Sequence, residues 1–438
     1  MRAFLHHKRR PLALFQAKAR WLSTATGPGE TTAPAASSTS SSSTNAPPTT
    51  RVFTWGQGTE GQLGHFPIQK SGITGAYIEL SPRELRKEGS KDEQVKKQHN
   101  PWGFVDLAMG LNYSAGVTAD GRLYTWGEGN YHKLGHGDVK PVLRPKLVEA
   151  LKDIQIVKVA CGDFHTAAVD AEGQLWTWGW GGSLFGGIGG LGHGDEIEQP
   201  RPKLVKGLLD YGCRVGSVAC GEKHTLILTD DGEVLTAGNG EYGRLGNGGS
   251  SDHPVPEPVE FFDEKTDIVE VAAGHAFNLV LTREGRVFTW GRNEQGQLGL
   301  GGGISMDVYS MEAVPLIIEA LQDKKIARIA AGHSHSAAVT EAGELYMWGM
   351  KVYLEPHHIK VGETGMEKVS LLSCGGSHTA VVTEGSGHLH TFGKGSSLCL
   401  GHGGKSYTPH PKLVADGLGG RTVVKVASGH RHMGVITD

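Results

Sequence analysis

From Arg51 onward the sequence repeats itself, and such a period has to be explained before any local motif is read. One half of the repeat is a glycine, then a histidine or aromatic ring three residues later, then an apolar run. It spans Gly110 to Tyr113, Gly162 to His165, Gly221 to His224, Gly274 to Phe277, Gly332 to His335, Gly375 to His378 and Gly429 to His432. The runs close in turns such as Asp230-Asp231-Gly232 and Glu341-Ala342-Gly343, where glycine supplies a positive φ. The other half is a short strand whose last residue precedes a glycine: Trp55, Trp126, Trp178, Ala237, Trp290, Trp348 and Phe392. Most copies continue into Gly-x-Leu-Gly, as at Gly61 to Gly64, Gly243 to Gly246 and Gly296 to Gly299. Proline-bearing connections such as Arg144-Pro145-Lys146 follow, and the copy at 349–356 has lost its Gly-x-Leu-Gly loop.

Seven units of about 55 residues, each with short strands and tight turns, predict an all-β, seven-bladed β-propeller over residues 51–438. The chain holds 66 glycines in 438 residues, about twice the usual share of ~7%. Blades that converge on an axis account for the excess, because backbone must pass close to backbone there. The repeat begins with a Trp-Gly half at Val52–Trp55 and finishes with a Gly-x-x-His half at 429–437. Each end lacks what the other holds. Val52–Trp55 is therefore expected to pair with the strand around Met433–Thr437 and close the ring, removing two sheet edges.

The seven copies in series resemble the repeats of the regulator-of-chromosome-condensation family, which form a seven-bladed propeller. WD repeats, the nearest rival, are shorter and end in Trp-Asp. The family's nuclear member is a guanine-nucleotide exchange factor, acting through polar residues between the repeat glycine and histidine and through a wedge inserted after a Trp-Gly. By that resemblance Asp163 matches an acidic functional position. Lys223 stands where the exchange factor has an acid, and Ser334 where it has a histidine. The wedge is present: Trp178 to Leu191 spans 13 positions, against 8 from Trp126 to Leu134. The ultraviolet-B receptors of the same family use tryptophans inside their Gly-x-x-His loops, and every such loop here lacks tryptophan.

Composition changes sharply before the repeat. The first 29 residues hold Arg2, Lys8, Arg9, Arg10, Lys18 and Arg20, apolar residues among them, and no acid before Glu30. That pattern predicts a mitochondrial presequence over 1–22, with a cut near Leu22 and a matrix address. A plastid signal and a basic tail on a cytosolic protein are the alternatives. Residues 23–50 read as a disordered Ser/Thr/Pro/Ala linker, since twelve of the twenty residues at 31–50 are Ser or Thr and none is charged. Without the six bases of the presequence, 37 of the 43 remain against 46 acids, so the formal charge moves from −3 to about −9. An acidic body argues against broad phosphate tracking.

No nucleophile elbow, zinc-protease motif or phosphate loop is present, and the sequence offers no catalytic residue, cofactor site or metal site. His165, His224, His335, His378 and His432 share one repeat position in different blades, so they cannot converge on one ion and are expected to bond a neighbouring turn. Cys161, Cys220 and Cys374 share the position before the glycine, where Ala273, Ala331 and Ser428 also serve. Two features exceed the repeat. The apolar wedge carries Trp180, Leu184, Phe185 and Ile188 on a glycine-rich backbone, either offered to a partner or folded back onto the blade. Residues 67–103 carry nearly balanced charge and read as a solvated loop with a helical turn.

The functional expectation is a non-catalytic propeller that binds macromolecules in mitochondria. By analogy with organellar family members it supports organelle gene expression, in transcript splicing or ribosome assembly. Candidate partner-binding residues are Asp163, Trp180, Leu184, Phe185, Ile188, Lys223 and Ser334. The partner is a protein, a GTPase and a ribonucleoprotein being the candidates, with direct nucleic-acid contact left open and no membrane span. The second reading is nucleotide exchange on an organellar small GTPase.

Overall fold

The computed structural model describes residues 50–65, 78–86, 99–183, 187–263, 265–301, 310–362, 364–404 and 406–438. The presequence, nearly all of the linker, Leu184 and Phe185 lie outside them. Seven four-stranded antiparallel sheets form the blades. In blade 2, for example, the strands run Ile156–Cys161, His165–Asp170, Leu175–Gly179 and Gln199–Leu204 from the axis outward.

The strand types differ because their surroundings differ. The second strand is buried at every position in all seven blades, as in His165–Asp170, Phe277–Thr282 and His432–Thr437. It lies between neighbouring sheets on both faces, so it reads as a continuous run of small and branched residues, without alternation. The outer strand faces water, and all seven copies contain proline: VLRPKL, QPRPKL, HPVPEP, MEAVPLI, YLEPHHI, TPHPKL and IELSPRE. Proline removes a donor from an edge and blocks pairing with another chain.

The apolar core is divided into wedges between adjacent blades. Ala115, Val117 and Leu123 of blade 1 pack on Ile156, Ala168 and Trp178 of blade 2. Val52, Ala427 and Ile436 of blade 7 pack on Phe104, Leu107 and Trp126 of blade 1. Five of the seven wedges are latched by an indole. Trp126 Nε1 donates to Gln62 O at 2.9 Å, Trp178 to Lys133 O at 2.9 Å, Trp290 to Arg244 O at 3.1 Å, Trp348 to Gln297 O at 2.9 Å and Trp55 to Cys399 O at 2.8 Å. The accepting carbonyls sit one residue before the Leu-Gly of the preceding blade's loop.

The ring closes as the end-matching of the repeat requires. Arg51–Gln57 pairs antiparallel with His432–Thr437, with Arg51 opposite Thr437 and Trp55 opposite Met433. One part of the 67–103 expectation is corrected: Ile78–Glu84 is the outer strand of this closing blade, paired to Arg51–Gln57. A blade needs four strands, and the stretch that looked additional supplies the fourth. No helix among the described residues is long and apolar enough to cross a membrane.

Candidate functional site

The Gly-x-x-His turns of all seven blades meet at one end of the axis. Each repeat glycine leaves room for the next blade. A Cβ on Gly162 would lie 2.5 Å from Gly221 O, and one on Gly110 would lie 2.5 Å from Gly162 O. Such distances forbid any side chain. The residue after the glycine donates its amide across the junction: Asp163 N to Gly221 O at 3.4 Å, His333 N to Gly375 O at 3.2 Å and His430 N to Gly110 O at 3.1 Å.

The side chains at that second position gather across the axis. His275 of blade 4 reaches Asp163 of blade 2, Nε2 to Oδ2 at 3.6 Å, and Glu222 of blade 3, Nδ1 to Oε2 at 3.6 Å. Its ring lies 4.1 Å from that of His333 in blade 5, and the His333 ring lies 5.2 Å from that of His430 in blade 7. Contacts between non-adjacent blades are possible only over the channel mouth. Burial, and then the Glu222 charge, push the Asp163 carboxyl up to about 7. Burial, with His333, Arg244, Arg292 and His430 nearby, pushes His275 down to about 2. His430 falls to about 4 for the same first reason. At neutral pH the imidazoles are uncharged, and the mouth is a nearly neutral plug of hydrogen-bonding rings.

Sequence reasoning identified Asp163 in this cluster and missed Glu222, His275, His333 and His430. Their signal was present at the residue after each repeat glycine, which reads Leu111, Asp163, Glu222, His275, His333, Gly376 and His430. Five of those seven residues are acids or histidines.

The histidines two places further on are framework. His165 Nε2 lies 2.9 Å from Thr225 Oγ1, His224 Nε2 2.8 Å from Asn278 Oδ1, His335 Nε2 3.0 Å from Thr379 Oγ1 and His432 Nε2 2.9 Å from Ser114 Oγ. Their partners are side chains on the second strand of the next blade, where a turn was expected. His378 differs, its Nδ1 lying 3.3 Å from Cys399 Sγ. Burial pushes the Cys161 and Cys374 thiols up to about 12, so neither is a thiolate at neutral pH. Among the described residues no group of three His, Cys, Asp or Glu is arranged to hold a metal ion.

Beside the mouth, blades 1 to 3 carry a run of rings. Tyr131 and Phe164 meet edge to face at 5.3 Å, and Phe164 and Trp180 at 5.9 Å. The Lys223 ammonium lies 5.6 Å from the Trp180 ring centroid and 3.9 Å from Glu222 Oε1. Trp180 is half-buried and Tyr131 is exposed. The wedge starts from Trp180 as a two-rung hairpin, Gly182–Ser183 with Gly187–Ile188. Its return arm is tied to blade 3: Ile188 N donates to Asp252 Oδ2 at 2.9 Å, and Gly190 O accepts from Thr225 Oγ1 at 2.6 Å. The base of the wedge is thus folded onto the blades with Trp180 and Ile188 half-buried. Ser334 lies apart from this sector, in the blade 5 turn, where its carbonyl accepts from Met350 N at 2.9 Å.

Comparison with known proteins agrees with this architecture. Residues 184–438 match the model of the RCC1-like domain, and 120–169 match the RCC1 repeat, as do 104–133 and 156–183 under a second model of that repeat. The human E3 ubiquitin-protein ligase HERC2 is 36% identical over 346 residues, covering 76% of this chain, which spans only 6% of that ligase's length. Two Arabidopsis thaliana relatives match over most of their own length. The ultraviolet-B receptor UVR8 is 30% identical, covering 85% of this chain and 80% of the receptor. The mitochondrial RCC1 domain-containing protein RUG3 is 30% identical, covering 81% of this chain and 80% of that protein. Among solved structures, yeast Prp20p superposes with a TM-score of 0.74 at 19% identity, over 89% of this chain and 91% of that one, a likeness of fold. With its repeats matched along most of the propeller and two relatives at this identity matched over 80% of their length, the chain belongs to the regulator-of-chromosome-condensation (RCC1) repeat family.

Proposed function

We propose that this RCC1-type propeller is a non-catalytic binding protein of the mitochondrial matrix. It engages a protein partner and supports organelle gene expression, in transcript splicing or ribosome assembly. The observation that carries the binding role is the run Tyr131–Phe164–Trp180 under the Lys223 ammonium, beside the wedge on the channel face. Aromatic rings with a polar edge and a cation are the side chains that anchor protein interfaces. The acid-free, base-rich first 29 residues and the mitochondrial relative support the address. The link to gene expression rests on kinship with organellar members of the family.

Nucleotide exchange is the competing use of the same face, and the geometry offers it little. Asp163 is engaged by His275, and Lys223 puts a cation where the exchange factor presents an acid. The test is affinity purification from mitochondria with RNA kept intact, using wild type and a Trp180→Ala/Lys223→Glu variant. Ribosomal or splicing proteins are expected with wild type and lost with the variant. Recovery of neither class by wild type overturns the gene-expression reading. Faster nucleotide release from an organellar GTPase with wild type, and not with Asp163→Ala, would replace it with exchange.

A further inference from the structure

The two sides of the channel face differ in how their charges are partnered. In the aromatic sector acids and bases pair: Lys133 with Glu128, and Arg244 with both Glu222 and Glu241. Blades 5 to 7 present cations of another kind. Lys351, Lys394 and Arg431 are exposed at the loops of three successive blades, and none makes an ion pair with a described residue.

These cations belong to one continuous surface. Lys394 N donates to Ser377 O at 2.8 Å, which sets the blade 6 lysine on its own Gly-x-x-His turn. That turn carries Gly376 at the second position, where a Cβ would lie 2.3 Å from His430 O. His430 is followed by Arg431. On the other side, His333 N reaches Gly375 O at 3.2 Å, and Met350 N reaches Ser334 O at 2.9 Å, one residue before Lys351. The His333 and His430 rings lie 5.2 Å apart, and His430 Cδ2 would lie 3.1 Å from a Cβ on Gly376. The result is a floor of glycine, serine and imidazole with a cation at each blade.

The lost loop of blade 5 opens this floor. Three residues, 350–352, join Leu345–Gly349 to Tyr353–Ile359, whereas residues 128–141 make the same connection in blade 1. The short turn is made at a conformational cost: Met350 and Lys351 both hold φ at 57°, a region that side chains avoid. Blade 5 itself raises no loop beside Lys351, whose N donates to Gln295 O of the blade 4 loop at 2.8 Å. Among the described residues the acids in the flanking loops are Glu60 and Glu294, and Glu294 is already held by Arg292 at 2.7 Å.

We propose that this cationic crescent of Lys351, Lys394 and Arg431 is a second docking surface, which takes an acidic, extended segment of a partner protein. Charge complementarity selects the class. Carboxylates spaced along an extended chain can meet cations on successive blades, with the serine hydroxyls and imidazoles as further hydrogen-bond partners. A long nucleic acid would run onto a body with more acids than bases, which repels it. The surface uses neither Trp180 nor Lys223, so its fate is separate from that of the aromatic sector.

The test is fluorescence anisotropy on the propeller with a labelled peptide of alternating Asp and Glu, a Ser/Gly peptide of the same length and an oligouridylate. At low ionic strength the acidic peptide is expected to bind, to weaken steeply with salt, and to lose at least about tenfold in affinity in K351A/K394A/R431A. The melting temperature of the variant should match wild type, and single Lys394→Gln and Arg431→Gln variants serve if the triple one folds poorly. K152A/K206A/K265A, which removes the same charge from the other end of the blades, should bind as wild type. Acidic-peptide binding no better than that of the Ser/Gly control overturns the proposal, as does equal loss in both triple variants. Tighter binding of oligouridylate, lost in the same crescent variant, makes the surface a nucleic-acid site instead.

Discussion

Gly162 shows how little freedom a residue on the ring has. Its place is fixed on one side by its own His165, whose Cε1 would lie 3.1 Å from an added Cβ, and on the other by Gly221 O at 2.5 Å. A backbone carbonyl cannot swing away as a side chain can. Gly162→Ala must therefore push two blades apart and is expected to cost about 3 kcal/mol, at the upper end of overpacking. Gly249 is the contrast: nothing lies within 4 Å of its missing Cβ, and its φ is not in the left-handed region. Gly249→Ala should be neutral or slightly stabilising. Urea unfolding of both variants checks this, and equal midpoints would show that glycine on the ring is incidental. The sequence announces that these glycines recur at a fixed place. It does not announce that at six of the seven the missing Cβ would meet the next glycine's carbonyl, because that contact spans a whole blade.

At the scale of the blade, every Trp-Gly indole keeps its acceptor, although blade 3 has Ala237 where the blade 2 loop still keeps Gly189-Gly190-Leu191-Gly192. Five blades have a tryptophan before the Trp-Gly-type glycine, and each indole finds a carbonyl in the preceding loop. Blade 6 has Phe392, and the blade before it is the one that has lost its Leu-Gly loop. Without that loop a buried indole N–H would be an unpaid desolvation. Trp126→Phe keeps most of the apolar contact and leaves Gln62 O with Ser114 Oγ at 2.8 Å, so it should cost about 1 kcal/mol. Phe392→Trp should not stabilise and should cost a similar ~1 kcal/mol, since no loop carbonyl faces it. A gain from Phe392→Trp in thermal unfolding would contradict the pairing of loop and indole. The lost loop and the Phe were both visible in the sequence. Their connection was not, because hydrogen bonds between adjacent repeats do not follow from a pattern within one repeat.

Across the whole ring, the closure was legible from the mismatch of the two ends, whereas the outer strand of the closing blade was not. Ile78–Glu84 carries charges and one proline, so it has no strand periodicity of its own; its partner strand confers the conformation. The channel cluster was hidden for a related reason, since His275 meets Asp163 only when seven blades are bent into a circle. Closure also determines how the molecule fails. Arg51–Gln57 stands in the middle of a sheet, between Ile78–Glu84 and His432–Thr437. Its Trp55 is fully buried and reaches back to Cys399 O in blade 6. The completed blade 7 then touches blade 1 through His430 N to Gly110 O at 3.1 Å, His432 to Ser114 at 2.9 Å and the Lys425–Asp106 pair at 2.6 Å. Deleting 51–57 would strand the outer strand, uncover two wedges of apolar core and leave an open arc of six blades. The expected loss exceeds about 5 kcal/mol, comparable with the whole stability of many domains, and the unfolding transition should broaden as the seam lets blades melt separately. Trp55→Ala keeps the strand but empties one wedge, and should lower stability by about 3–5 kcal/mol while the transition stays sharp. The two variants thus separate closure from packing. A deletion mutant that unfolds as sharply and at the same urea concentration as wild type would mean that the seam carries none of the cooperativity, and that the blades hold the ring without it.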